Sequence, residues 1–506
     1  MLNLNLKRLI GLFIVVAFGL VACGSDDNEA DASQNDNTLR LGVAYAAVTF
    51  DPHLAPTSSD EDDLNLFYDT LFKQTAEGRA VPELVESFEF TDEGLLLHLL
   101  DGVVFHDGNP FNSDAVKANI ERGQTLEGSK VTRDLTPVVE VEVVDPLTVL
   151  LKTERTDVTL PAVLTGRAGM MISPAAFDSD LASTAVGAGM FKMTSRQVGV
   201  KISGERWDGY WNPEAVDLGG IEVHYFQDAG TRMNALRSGQ IDAARLQPSQ
   251  IAEAKGHGLI VEETLFSTTS VLQFNIETVP AWNDERVRHA VNHALDREAI
   301  VAGVLDGHGA PTFQMFGQAS IAHDPDLEEP YPYDPDRARE LLAEAGYADG
   351  FEFEVMFGTT PSLSELEAVQ GFLADVGITM KIRVIQGAEG VKIMWGEKAG
   401  EALALPFGTS FDPSLNLGYF LPDQFRNPGG LTSEAVAALI EASMVETDPD
   451  ARVSIQHEIS AELAANPLAL VPLHSVSGAF ATSEGVSGLR YLPSTRYYLD
   501  NVALVN

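Results

Sequence analysis

Residues 271–311, VLQFNIETVPAWNDERVRHAVNHALDREAIVAGVLDGHGAP, leave few folds open. A short apolar strand runs into a Pro-interrupted turn and then one long amphipathic helix. Val287, Ala290, Val291, Ala294 and Leu295 recur at helical spacing, Asn283 and Asp284 are natural N-cap residues, and Gly303 and Gly307 supply stop signals. The unit reads as a strand leaving one domain and a helix opening another. The same alternation recurs along the chain. Leu39, Leu41 and Val43 alternate as in a half-buried strand, and residues 113–122 read as a helix capped by Ser113 or Asp114. Val138 to Leu151 holds two β-rich runs around Asp145-Pro146, and residues 226–246 read as a helix ended at Gly239 and followed by a short strand. Asp334 and Pro335 open a helix with Ala338, Leu341, Leu342 and Ala345 on one face, and Leu363 to Leu373 continues as a helix before a strand from Gly377 to Val384. Asp448-Pro449 repeats the capping device ahead of Ile455, Ile459 and Leu463, with a strand at Leu468–Leu473. This order predicts an α/β chain of mixed sheets flanked by helices.

The N-terminus addresses the chain. Lys7 and Arg8 precede an apolar stretch from Leu9 to Val21, too short to span a bilayer comfortably, so residues 1–22 read as a signal peptide. Leu20-Val21-Ala22-Cys23 matches the bacterial lipobox, in which cleavage before the cysteine frees it for acylation. Cys23 is the one cysteine of the chain, which excludes an internal disulfide, a cysteine protease and a Cys-rich zinc site. Residues 23–38 then form an acidic tether without large apolar groups; the run GSDDNEADASQNDN has an r.m.s. span of about 20 Å.

Net charge matters for what such a chain can touch. At 506 residues and −41, it repels phosphate backbones, so nucleic acid is excluded as a partner. No Gly-x-Ser-x-Gly elbow, His-Glu-x-x-His or P-loop occurs, so no enzyme is read here and no cofactor is expected. His289 and His293 lie four apart on one helix face, but two imidazoles without a third ligand make no metal site. His106, in the turn Phe105-His106-Asp107-Gly108, reads as structural.

Several of these stretches also carry a resemblance. The pattern FN…P…D.RVR.A…A.DR..IV in 271–311, the run from Phe67 to Phe111 with its Phe-His-Asp-Gly, RWDGYW at 206–211, FQDAGTRMNALRSGQIDAARL at 226–246 and YDPDRARELLAEAGYADGFEFEV from Tyr333 resemble the family 5 extracellular solute-binding proteins. These are the receptors of oligopeptide, dipeptide and nickel ABC importers. Residues 166–191 are similar too, with Ala188 and Met190 where the family usually has Thr and Pro.

The resemblance implies a two-lobed periplasmic-binding-protein fold, type II and cluster C-like, with an extra inserted subdomain. The first lobe would comprise 39–83, 186–276 and 480–506, the subdomain 84–185, and the second lobe 277–479. It implies a monomeric receptor outside the cytoplasm, lipid-anchored through Cys23, that encloses a solute by closing near Val186–Gly189 and Gln273–Ile276 and hands it to a permease and its ATPase. A short peptide is the leading ligand. A nickel chelate or another small solute is the alternative, with a sensor subunit or an exported hydrolase as rivals of other classes. The family has a loop close to the ligand at Phe50 and Asp51. A segment like W..DY..P, which supplies an aspartate for the peptide ammonium, falls at residues 407–413. This puts Ser410 at the aspartate's position and Asp412 two residues on, with Phe407 and Trp395 lining the pocket.

Overall fold

Two long strands, Ile260–Phe274 and Leu470–Thr482, form the spine of the molecule, and each changes partners halfway. We describe a computed structural model, covering residues 37–57, 59–358, 361–386, 389–408 and 412–505. The signal peptide, Cys23 and the tether before Asn37 lie outside the described residues, as does Ser410. The two long strands pair antiparallel from Ile260↔Thr482 to Gln273↔Leu470, with a register shift between Leu265 and Thr269. Before the shift, the neighbour on the far side of the second strand is Ala243–Leu246; after it, the neighbour of the first strand is Ala402–Phe407. The shift therefore divides one eleven-stranded sheet into two halves.

On one half, the strand Thr38–Val43 lies parallel between Gly220–Tyr225 and Ala243–Leu246, and the hairpin of Phe191–Gln197 and Lys201–Arg206 extends the edge. On the other, Ala402–Phe407, Phe351–Phe357 and Ile378–Val384 run parallel to one another. A separate four-stranded antiparallel sheet is built from Val85–Thr91, Gly94–Leu99, Val138–Asp145 and Thr148–Thr153, covered by the helix Ser113–Thr125. Its own apolar core includes Leu97, Phe105, Val116 and Leu151.

The 271–311 unit differs from the single helix its periodicity predicts. It forms two helices, Glu285–Ala294 and Arg297–Val304, each with its own aspartate cap: Asp284 accepts from the Arg286 amide and Asp296 from the Ala299 amide. Asp296 is a better cap than an interior helix residue, so the chain breaks there. Trp282 stacks on Phe274 at 3.9 Å and seals the helices to the sheet. Arg288 and Arg297, both buried, serve as staples. Arg288 donates to the carbonyls of Pro467 and Trp282, and Arg297 to those of Pro472 and Asn292. Buried guanidinium groups need such acceptors, which accounts for these arginines without a ligand. Asn112, rather than Ser113 or Asp114, caps the helix that follows it.

Candidate functional site

Beside the register shift lies a small space lined by residues from both halves of the molecule. Gln74, Ser267 and Ser494 line it from one side; Phe316, Ser320, Asn416 and Gly408 line it from the other. Gly408 has φ +82, and a Cβ there would meet the Ser267 carbonyl at 2.8 Å, so only glycine lets the two backbones approach this closely. The free volume is about 20 Å³, room for roughly one water. The lining is uncharged and mixed: Gln74, Ser267, Ser320, Asn416 and Ser494 stand among Phe316, Ile321, Pro413 and Pro493. The Ser494 hydroxyl on its wall is buried without a hydrogen-bond partner among the described residues; those of Thr268 and Thr269 on the crossing strand are likewise buried and unpartnered, though neither residue lines the space. Buried hydroxyls without partners are rare in folded proteins, and each is a group that a bound polar solute can satisfy.

A larger cavity, about 490 Å³, adjoins this space, with Gly78 and Ile321 lining both. One of its walls carries Asp412. This carboxylate is buried; it accepts from the Ser414 amide at 2.8 Å and pairs with Arg452 at 3.0 Å. Asp412 thus caps the 3-10 turn Pro413–Tyr419, and its charge is compensated by Arg452 on the helix Pro449–Ala465. Tyr419, at the far end of that turn, touches both Phe407 at 5.2 Å and Trp395 at 5.8 Å between ring centroids. Trp395 donates to Gln273 on the crossing strand at 2.7 Å. The structure therefore gathers Asp412, Phe407 and Trp395 around one turn, although among the described residues neither ring lines the enclosed space.

Phe50 and Asp51 lie elsewhere, in the core of the first half. Phe50 is fully buried against Phe67, and Asp51 makes a two-point ion pair with Arg122 at 2.6 and 3.0 Å. Motif reading missed Arg452, Ser494 and the crossing threonines. Arg452 sits one turn into a helix whose cap, Asp448, is plain in the sequence, but nothing local says which way it reaches.

The histidines behave as structural groups. His106 bonds the Gly189 carbonyl at 2.9 Å, and burial pulls its pKa down to about 4. His293 bonds the Pro332 carbonyl, and among the described residues no group of three His, Cys, Asp or Glu side chains could hold a metal ion.

Residues 79–426, more than half of the chain, match the family model described as bacterial extracellular solute-binding proteins, family 5 Middle. The glutathione-binding protein GsiB of Salmonella typhi is 26% identical over 491 residues, covering 92% of this chain and 94% of that one. HbpA2 from Haemophilus parasuis superposes with a TM-score of 0.82 at 23% identity, covering 93% of this chain and 100% of its own. The binding protein DppA from Helicobacter pylori, solved with the peptide STSA, superposes with a TM-score of 0.75 at 22% identity over 93% and 98% of the two chains.

Proposed function

The chain belongs to the bacterial extracellular solute-binding proteins of family 5, and from that premise we propose that it captures a short peptide at the seam between its two halves and delivers it to the permease of an ABC importer. As a member of that family it is a substrate-binding receptor with the type II binding-protein fold, works outside the cytoplasm and is not an enzyme. The observation that carries the peptide reading is the seam itself. The unpartnered hydroxyl of Ser494, with Gln74, Ser267, Ser320 and Asn416, lines a space beside the step where the two halves joined by two strands change partners, and amide groups supply the donors and acceptors such a hydroxyl lacks. Glutathione, bound by the relative GsiB, is itself a tripeptide. We take the lobes as 39–83, 186–276 and 480–506 against 277–479, with a subdomain at 84–185; the strands change partners at Leu265–Thr269, a few residues before the 276/277 bound. A monomer is sufficient for this role. In it Asp412 is the acid an incoming ammonium shares with Arg452, while Phe407 and Trp395 brace the turn that presents it.

The test is a mass spectrum of the solute that co-purifies, followed by calorimetry of that peptide on the parent and on Asp412→Asn. Loss of a buried charge partner should weaken binding by roughly 3–5 kcal/mol. Equal affinity would remove Asp412 from the site, and a co-purifying solute without peptide bonds would remove the peptide reading.

A further inference from the structure

The 490 Å³ cavity beside the seam is built differently from the seam. Its roof is the four-stranded sheet and the short helix at Leu160–Val163, contributing Phe88, Phe90 and Pro161; its floor is the first turns of the helix Pro449–Ala465, contributing Val453. We propose that this cavity takes an apolar group of the captured solute: an aliphatic or aromatic side chain, if the solute is a peptide. The inference rests on capture at the seam and adds the chemical character of what is captured.

Three features support it. The volume falls within the range of about 300–1,000 Å³ typical of small-molecule sites. The cavity adjoins the seam, with Gly78 and Ile321 lining both, so a side chain of a molecule held at the seam lies within reach of it. The buried cation in its walls is already compensated, Arg452 pairing with Asp412 at 3.0 Å, while Arg79 forms a solvent-exposed pair with Asp450 at 2.7 Å and Glu89 lies exposed. Arg452 also donates to the Val158 carbonyl at 2.7 Å, tying the floor to the roof. Away from Asp412 and the exposed Glu89, a charged group entering there would give up its hydration without finding a partner, whereas an apolar group is desolvated against Phe88, Phe90, Pro161 and Val453. Closure then reads the apolar group, because roof and floor come from different parts of the chain.

Affinities of trialanine and of its three single-phenylalanine isomers should be measured by calorimetry on the full chain freed of bound solute. At least one isomer should bind about 10- to 100-fold more tightly than trialanine, the expected yield of burying one aromatic side chain. That ratio should fall toward one in Val453→Asp, which puts a carboxylate in the cavity, and in Val453→Trp, which fills it; unchanged near-ultraviolet dichroism certifies the fold of each. If trialanine binds and no isomer is preferred, or if the preference survives both substitutions, the cavity inference is overturned while the peptide reading stands. If no peptide binds, the peptide reading fails, and the cavity is read with the neutral apolar dye N-phenyl-1-naphthylamine. Blue-shifted emission on the parent that both variants lose supports the cavity, and emission that is absent from the parent or survives both variants overturns it.

Discussion

Four consecutive acids, Asp60, Glu61, Asp62 and Asp63, sit buried on one short helix in the first half of the molecule. Each has a partner: Thr57 for Asp60, Arg167 and Arg496 for Glu61, Arg245 for Asp62, and the Tyr225 hydroxyl at 2.7 Å for Asp63. Burial nevertheless outweighs those partners for two of them, raising Asp62 to about 6 and Asp63 to about 7 from an ordinary 3.8. A carboxyl whose folded pKa is raised holds its proton in the native state over a range where the unfolded chain has lost it. Stability from these groups is therefore greatest below about pH 4 and falls as pH rises toward 7, by roughly 1.4 kcal/mol per pH unit for each proton retained. Asp63→Asn keeps an oxygen for Tyr225 and removes the titration. Thermal unfolding followed from pH 5 to pH 8 should show a shallower loss of stability in the variant than in the parent, and parallel curves would refute the assignment. That SDEDDL is buried depends on arginines about 100 to 440 residues away.

Among the elements, the crossing strands decide how the halves can move. The hinge expected at Gln273–Ile276 lies at the end of the first strand, whereas pairing is interrupted earlier, between Leu265 and Thr269. A strand that keeps its ladder on both sides of an irregular step can bend there at the loss of few hydrogen bonds. The segment Val186–Gly189 is tightly packed: the Gly189 amide donates to the Phe67 carbonyl at 3.1 Å, and a Cβ on Gly189 would come within 2.5 Å of the Phe67 carbonyl carbon. Rotation about Leu265–Thr269 predicts that small-angle scattering of the solute-free protein gives a larger radius of gyration than the loaded one. Deuterium uptake at residues 265–269 should fall on loading more than at 186–189, and the opposite ranking would move the hinge. Both crossing strands read as short in the sequence: Ile260 to Thr264 of the first is largely polar and half-exposed, and His474-Ser475 interrupts the apolar run of the second.

For the whole molecule, the remaining question is how it is held in place. No helix among the described residues is long and apolar enough to cross a membrane, and we propose that Cys23 carries the lipid that anchors the receptor. Cys23→Ala should shift the protein from the membrane to the soluble fraction, because acyl chains supply about 0.8 kcal/mol per buried methylene and the acidic tether supplies none. Intact-mass measurement showing an unmodified Cys23 would end the proposal.

By itself the sequence determined the α/β class, most helix starts and the family. Those depend on local chemistry: Asp448, Asp334 and Asp284 cap the helices they precede, and Gly239 and Gly346 stop them in left-handed backbone. Tertiary structure alone decided the site. Asp412 is the nearest acid to the expected position along the chain, yet whether it is free or paired rests on Arg452, forty residues on, and Ser494 comes beside the first crossing strand only because the Ser267 amide donates to the Pro493 carbonyl at 2.8 Å, 226 residues away. Caps and stops act through the next few amides, whereas a charge pair or an enclosed space is set by long-range packing that no local pattern encodes.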